Sequence, residues 1–364
     1  MTDGPTPTDG PSPADATTPI DAPAAVIPLA STGRLLAASF DLLGKSGADM
    51  RRASFYIGAI VLGTVGPLAV GSWAIAVISV DRSSAEMAAV FEGAGGLLFA
   101  ILVVLATMGF IVAAVESRTL GVAVLGGVMA GRPVTLRQAL ARSRRTFWRT
   151  VAASIIVAIP LSIAQAVATA LLEPIMGAVV EASVATRTVV TAVVGAPFAY
   201  TLAGVVLGDV DPFEALKRSF RVYGARKGAA MIVVLFETVA ALLILFGVSA
   251  GLDVALRVFD TLGLGPEAGA AGLALSMIGI VAAVFAFGTL LFTVMAMTVA
   301  PQVVMFLGLT HATFGLDRVA PGGADDPDAP RRPPERPFRW FTRPLLLGIF
   351  VGALGLAGLV AAYE

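Results

Sequence analysis

The sequence predicts an all-α polytopic membrane protein of about seven transmembrane helices, arranged as three parallel repeats of one interfacial helix plus two spans. Three observations predict it. The chain is 57% hydrophobic and only 14% charged, where a soluble domain carries about 25% charged residues. Its apolar residues fall in long runs, and a helix needs about 20 of them to cross a bilayer. A basic, amphipathic segment, DPFEALKRSFRVYGARK at 211–227, occurs between two such runs and recurs in diluted form twice upstream.

Residues 1–28 hold four Asp and no basic residue, with much Pro, Thr and Ala. This composition predicts a disordered tail. It has neither the basic start nor the apolar core of a signal peptide, so it is expected to stay uncleaved and cytoplasmic. A six-span membrane domain is expected over 29–314, with repeats at about 29–131, 132–208 and 209–314. Its first span is 53–80, entered through Arg51 and Arg52. The second apolar run, 94–131, is too long for one perpendicular crossing, and Glu116 and Arg118 interrupt it. The first spans of the other units are 150–172 and 228–251. Their second runs, 174–208 and 268–310, are overlong in the same way. Each long run is read as a span on the inner side preceded by a partly embedded outer segment. Ala196-Pro197 and Ala300-Pro301 predict kinks, because proline frees a carbonyl that neighbours must then satisfy. A cytoplasmic Pro- and Arg-rich linker follows at 315–343, with Trp340 and Phe341 suited to the interface. The last span, 344–362, carries Gly348, Gly352 and Gly355 on one face, a packing stripe for the same bundle or for a homodimer.

The repeat rests on three segments: RLLAASF at 34–40, QALARSR at 138–144 and EALKRSF at 214–220. Each opens a helix, places a serine (Ser39, Ser143, Ser219) at the same position, and leads into an apolar run. One supersecondary unit used three times explains this. Two spans return the chain to its starting side, so the copies are parallel. The third copy is the clearest helix. Asp211 is an N-cap, Pro212 suits the first helical position, and Glu214 stands where a capping box closes. Phe213, Leu216, Phe220 and Tyr223 make an apolar stripe, with Lys217, Arg218 and Arg221 beside or opposite it. Such a helix belongs in the headgroup layer, its basic side chains reaching toward phosphates. Thr135 and Gln138 offer a second capping box.

Charge sets the topology. Of 25 Lys and Arg, only Arg82, Arg187 and Arg257 fall in or near outer segments, and Arg118 falls inside a span. The positive-inside rule then puts the repeat helices and the linker in the cytoplasm of a plasma-membrane protein, with the N-terminus inside and the C-terminus outside. Equal numbers of acidic and basic residues leave no global field to attract nucleic acid. No cysteine and a single histidine, His311, rule out disulfides, thiolate nucleophiles and His-cluster metal sites. No nucleotide-binding or metalloprotease motif occurs, so no catalytic residue, metal or cofactor is assigned.

Three intramembrane polar residues stand out: Glu116, Arg118 and Glu237. Glu237 lies about 14 Å into its span, where an unpaired charge costs at least ~2.5 kcal/mol. Its helical face carries Ala230, Ala240, Ala241 and Gly251, while Leu235, Leu242 and Phe246 occupy the opposite face. Small residues favour helix contact, so Glu237 is predicted to point into the bundle. Arg118 comes to a similar depth and is the predicted partner, with Glu116 nearby. The pair is a static polar clamp, or Glu237 is simply protonated, or the two form a proton or solute site. Headgroup contacts are assigned to Arg144, Arg145, Lys217, Arg218 and Arg221. Arg187 is read as snorkelling, His311 as interfacial, and the three serines as packing or capping groups.

The chain resembles the membrane domain attached to some bacterial glycerophosphodiester phosphodiesterases, and its stand-alone actinobacterial relatives. The likeness lies in Ile27-Pro-Leu, 33–40, GRPVTLRQAL at 131–140 with Phe147-Trp148-Arg149, 211–223, and Phe314-Gly-Leu-Asp317. It covers about 25–317. It implies no activity here, because hydrolysis in the full-length relatives belongs to a separate barrel rich in catalytic histidines. The expected role is a non-enzymatic structural or accessory bundle that engages anionic lipids or membrane-protein partners. The alternatives are a transporter using Glu237 and a lipid-modifying enzyme.

Overall fold

The computed structural model describes residues 32–78, 94–131, 134–176, 180–261 and 270–314. Among the described residues the architecture is all helical. In chain order the helices are α1 (Thr32–Lys45), α2 (Gly47–Ile78), α3 (Ala94–Met129), α4 (Leu136–Met176), α5 (Val180–Gly195), a 3-10 turn (Ala196–Phe198), α6 (Thr201–Leu207), α7 (Pro212–Ala225), α8 (Lys227–Thr261) and α9 (Ala270–Phe314). Among the described residues five stretches are long and apolar enough to cross a membrane: Gly47–Ile75, Gly95–Met129, Leu136–Leu171, Val184–Leu207 and Leu275–Gly308. The expected tail at 1–28, linker at 315–343 and last span at 344–362, with its three glycines, lie outside the described residues. The expected span 228–251 falls within α8, a helix of 35 residues.

Helices α2, α3 and α9 pack against one another and form the centre. Glycines set how closely they cross. A Cβ on Gly288 would sit 2.8 Å from the Gly58 Cα, and one on Gly121 would sit 3.2 Å from the Ala296 Cα. Such contacts let backbones touch where lipid tails give helices no hydrophobic reason to associate. Helix α4 flanks α3, α5 lies between α4 and α8, and α6 sits on α4 and α7. Ile57, Ile60, Leu120, Tyr200, Phe292 and Phe306 are fully buried. The C-terminal half of α4 is bare. Ile155, Ile159, Ile163, Val167 and Leu171 are all exposed at a four-residue spacing, as a lipid-facing ridge must be.

Several expectations need correcting. The second unit has no separate interfacial helix, since α4 runs unbroken for 41 residues from Leu136 to Met176. Its junction, RRTFWRTVAAS, contains neither Gly nor Pro, so nothing stops the helix. The first unit is interrupted at Ser46, between Gly44 and Gly47. The third breaks at Arg226 (φ −148°, ψ 76°), between Gly224 and Gly228. The expected outer segments of 94–131 and 268–310 are also continuous with their spans, in helices of 36 and 45 residues. At Ala196-Pro197 the chain does more than kink: a 3-10 turn splits the crossing into α5 and α6. Pro301 stays inside α9.

The apolar stripe of α7 is not its packing face. Ala215, Ser219 and Val222 are buried, while Phe213 is 66% and Phe220 46% exposed. Small side chains are needed inside because a Cβ on Gly204 of α6 would already lie 3.2 Å from that of Ala215. Asp211 caps α7 through its Oδ1, which accepts from the Glu214 N–H at 3.0 Å. Glu214 Oε1 in turn accepts from Arg218 Nε at 3.4 Å. The box at Thr135 does close. Gln138 Oε1 accepts from the Thr135 N–H at 2.9 Å, and Thr135 Oγ1 accepts from the Gln138 N–H at 3.4 Å.

Candidate functional site

The polar groups of the bundle gather on both sides of α3. Glu116 and Arg118 are two residues apart, so they leave α3 on nearly opposite faces. Arg118 reaches α8 and forms an ion pair with Glu237 through its Nη2. Gln302 of α9 donates from its Nε2 to the second carboxylate oxygen of Glu237 at 2.6 Å. Three helices therefore converge on one carboxylate, which takes a charged donor on one oxygen and a neutral donor on the other. Gln302 is 2% exposed, whereas the side chains of Arg118 and Glu237 are 36% and 24% exposed. The cluster has a closed back and a partly open front.

The expected faces of α8 hold in part. Ala230 is buried, and Leu235 and Phe246 are exposed. Ala241 and Gly251 are exposed as well, so the small-residue face makes contact only along the inner turns.

Glu116 faces the other way. Its carboxylate accepts from Tyr56 Oη at 3.2 Å and lies 3.7 Å from Arg144 Nε. Arg144 Nη2 donates to Tyr56 Oη at 2.7 Å. This triad ties α2, α3 and α4 together, and Glu116 is 1% exposed. Arg144 is thus turned inward, away from the headgroup role its sequence neighbourhood suggested. Beside it Thr119 and Ser143, both fully buried, share a hydrogen bond. The ion pair offsets the cost of burying the two charges, although Arg144 Nε, 3.7 Å from the carboxylate, makes no hydrogen bond.

The three serines sit at one repeat position and find three different partners. Ser39 Oγ donates to the Leu35 carbonyl at 2.8 Å within its own helix. Ser143 bonds Thr119 across helices. Ser219 repairs the break in the fourth crossing: its Oγ donates to the Pro197 carbonyl at 2.7 Å and accepts from the Tyr200 N–H at 3.1 Å. Two backbone groups freed by the break, the Pro197 carbonyl and the Tyr200 N–H, are thereby satisfied by α7.

Two arginines of α4 close the C-terminal end of α6. Arg142 donates to the Val206 and Leu207 carbonyls, the latter at 3.0 Å from Nη2. Arg149 donates to the Val210 carbonyl at 3.2 Å and pairs with Asp209 at 2.8 Å. These carbonyls end a seven-residue helix and need donors. Asp209 has a positive φ of 46°, rare for a residue with a side chain, and its ion pair holds it there.

Of the headgroup candidates, Arg145, Lys217 and Arg221 are exposed, and Arg218 is half-buried against Glu214. Exposed Arg51, Arg52, Arg137, Arg226 and Lys227 join them. The aromatic side chains Trp148, Phe213 and Phe220 are exposed on the same helices as part of this basic set. Among the described residues no cluster of His, Asp and Glu could hold a metal ion.

Sequence reasoning missed Gln302, Tyr56 and the inward turn of Arg144. Gln302 carried a readable signal: it is a lone amide, directly after Pro301, in an otherwise apolar stretch. Tyr56 carried none, because one tyrosine among apolar residues reads as core.

No family model, curated protein or solved structure matches this chain. The likeness to the phosphodiesterase membrane domain rests on the residues quoted for it.

Proposed function

We propose that this protein is a non-enzymatic accessory bundle of the plasma membrane that holds anionic lipid against its cytoplasmic face. The observation that carries the reading is the two-sided character of α7. Its small face is fixed to the bundle through Ser219, while Phe213, Lys217, Phe220 and Arg221 project outward. An outward face that mixes aromatic and basic side chains suits the headgroup layer. Exposed Arg51, Arg52, Arg137 and Arg145 extend that basic surface over α2 and α4. In this reading the chain makes seven crossings as three parallel repeats, with the N-terminus cytoplasmic, the C-terminus outside, and membership of the phosphodiesterase membrane-domain family. The linker would be cytoplasmic, and the Gly348, Gly352 and Gly355 face would pack on the bundle or on a second copy.

Each Lys or Arg near an anionic leaflet contributes about 1 kcal/mol. Replacing Arg145, Lys217 and Arg221 together with Glu should therefore lower the preference for phosphatidylglycerol over phosphatidylcholine by about a hundredfold or more. Native mass spectrometry of full-length protein from mixed-lipid nanodiscs measures this. An unchanged lipid ratio in the triple variant overturns the reading.

The broken fourth crossing and the ionisable pair inside the bundle favour a second reading, a transporter working through Glu237. Uptake in proteoliposomes that disappears with Glu237→Gln supports it. Identical fluxes in both proteins remove it.

A further inference from the structure

The Arg118–Glu237–Gln302 cluster is unfinished. Gln302 Oε1 is buried and has no hydrogen-bond partner, although its own Nε2 binds the carboxylate. Arg118 Nε is likewise buried and without a hydrogen-bond partner, although its Nη2 is paired. A buried polar group left without a partner costs about 1–3 kcal/mol; the Glu116 triad leaves one such atom, Arg144 Nε, whereas this cluster leaves two of opposite kind, a donor and an acceptor, around one carboxylate. Three helices thus present a spare acceptor, a spare donor and a carboxylate whose oxygens each accept one bond. The cluster also opens on one side, since Arg118 and Glu237 are a third and a quarter exposed.

We infer that this cluster is a binding site for a zwitterion: an ammonium carrying N–H donors next to an anionic oxygen. The ammonium donates to Glu237 and to Gln302 Oε1. The anionic oxygen accepts from the guanidinium of Arg118, including Nε. A simple anion would meet the Glu237 charge, and a simple cation would meet Arg118. A ligand bearing both signs satisfies every spare group with no net charge brought into the bundle. A quaternary ammonium has no N–H and cannot serve the Gln302 acceptor. Entry requires Arg118 to swing, and its partly exposed side chain has room to do so. Glu237 lies about 15 Å along α8 from Lys227, so a ligand here is well away from the inner headgroup layer. This chemistry has two sources, a phosphatidylethanolamine headgroup or a free zwitterionic solute. The inference does not rest on the basic cytoplasmic face.

The test uses the full chain purified in detergent. Native mass spectrometry follows retention of phosphatidylethanolamine, phosphatidylcholine and phosphatidylglycerol offered in equal amounts. Calorimetry with phosphoethanolamine and with glycine covers the soluble source. We expect phosphatidylethanolamine, or one of the two solutes, to bind at least tenfold better than its quaternary or purely anionic counterpart, phosphocholine or glycerol phosphate for the solutes. Glu237→Gln and Gln302→Leu should abolish that preference. Lys217→Ala/Arg221→Ala should leave it intact. Arg118→Lys keeps the charge but lacks Nε, and should weaken binding tenfold while the protein stays folded. Preference in the lipid arm alone identifies a headgroup, and in the calorimetric arm a solute. Equal retention of the three lipids with no solute binding overturns the inference. So does a preference that survives in Glu237→Gln or in Arg118→Lys.

Discussion

Removing Glu237 tests the intramembrane pair most sharply. In Glu237→Leu the guanidinium of Arg118 loses its counter-charge and Gln302 Nε2 loses its acceptor. Breaking a fully buried ion pair from one side costs about 3–5 kcal/mol. Here the Arg118 side chain is 36% exposed, so it can turn toward a more polar environment and recover part of that. About 2 kcal/mol is the expected loss, which includes the lost amide bond at about 1 kcal/mol. Arg118→Leu should cost a similar amount, because it strands the carboxylate. The double variant strands neither charge and should lose no more than either single one. The coupling in that cycle should then be about 2 kcal/mol. The assay is unfolding in dodecyl maltoside with a rising fraction of SDS, followed by fluorescence of the three Trp residues. Additive losses, with the double variant losing about 4 kcal/mol, would refute the pairing.

Two further outcomes follow from the same contacts. Ser219→Ala removes the group that satisfies both Pro197 and Tyr200, and should destabilise by about 2–3 kcal/mol; hydrogen exchange should rise at 196–201 before it rises in α9, and uniform exchange across both regions counts against the repair role. Gly288→Leu drives a side chain into the Gly58 backbone 2.8 Å away and should cost about 3 kcal/mol or prevent folding, whereas Gly247→Leu, with nothing within 4 Å, should be neutral by size-exclusion profile and unfolding midpoint.

The all-α class with several long apolar helices was legible because a bilayer constrains sequence so strongly. Apolar runs and the placement of arginine outside them follow from the cost of burying charge and from the absence of water to satisfy backbone. The meeting of Arg118 and Glu237 was also legible, since depth along a helix can be counted at a fixed rise and an intramembrane charge needs a partner. Direction around the helix was harder. Arg144 adjoins the exposed Arg145 in sequence, but a hundred degrees of rotation per residue turns it to Glu116 and leaves Arg145 outside. The α7 stripe was read as a headgroup-layer face, and its Phe213 and Phe220 are exposed while Ala215, Ser219 and Val222 pack inward. The continuity of α4 depended on the lack of glycine at one junction, a cue weaker than the repeat that argued for a break.

Because the chain has no cysteine, accessibility of introduced thiols measures the parallel-repeat topology directly. Lys45→Cys, Arg145→Cys and Lys217→Cys, one from each repeat, should all be blocked from labelling by an impermeant maleimide in intact cells and all react after lysis. Arg187→Cys and Arg257→Cys should react in intact cells. Labelling of Arg145→Cys and Lys217→Cys from opposite sides of the membrane would contradict the three-repeat arrangement and the cytoplasmic basic face built on it.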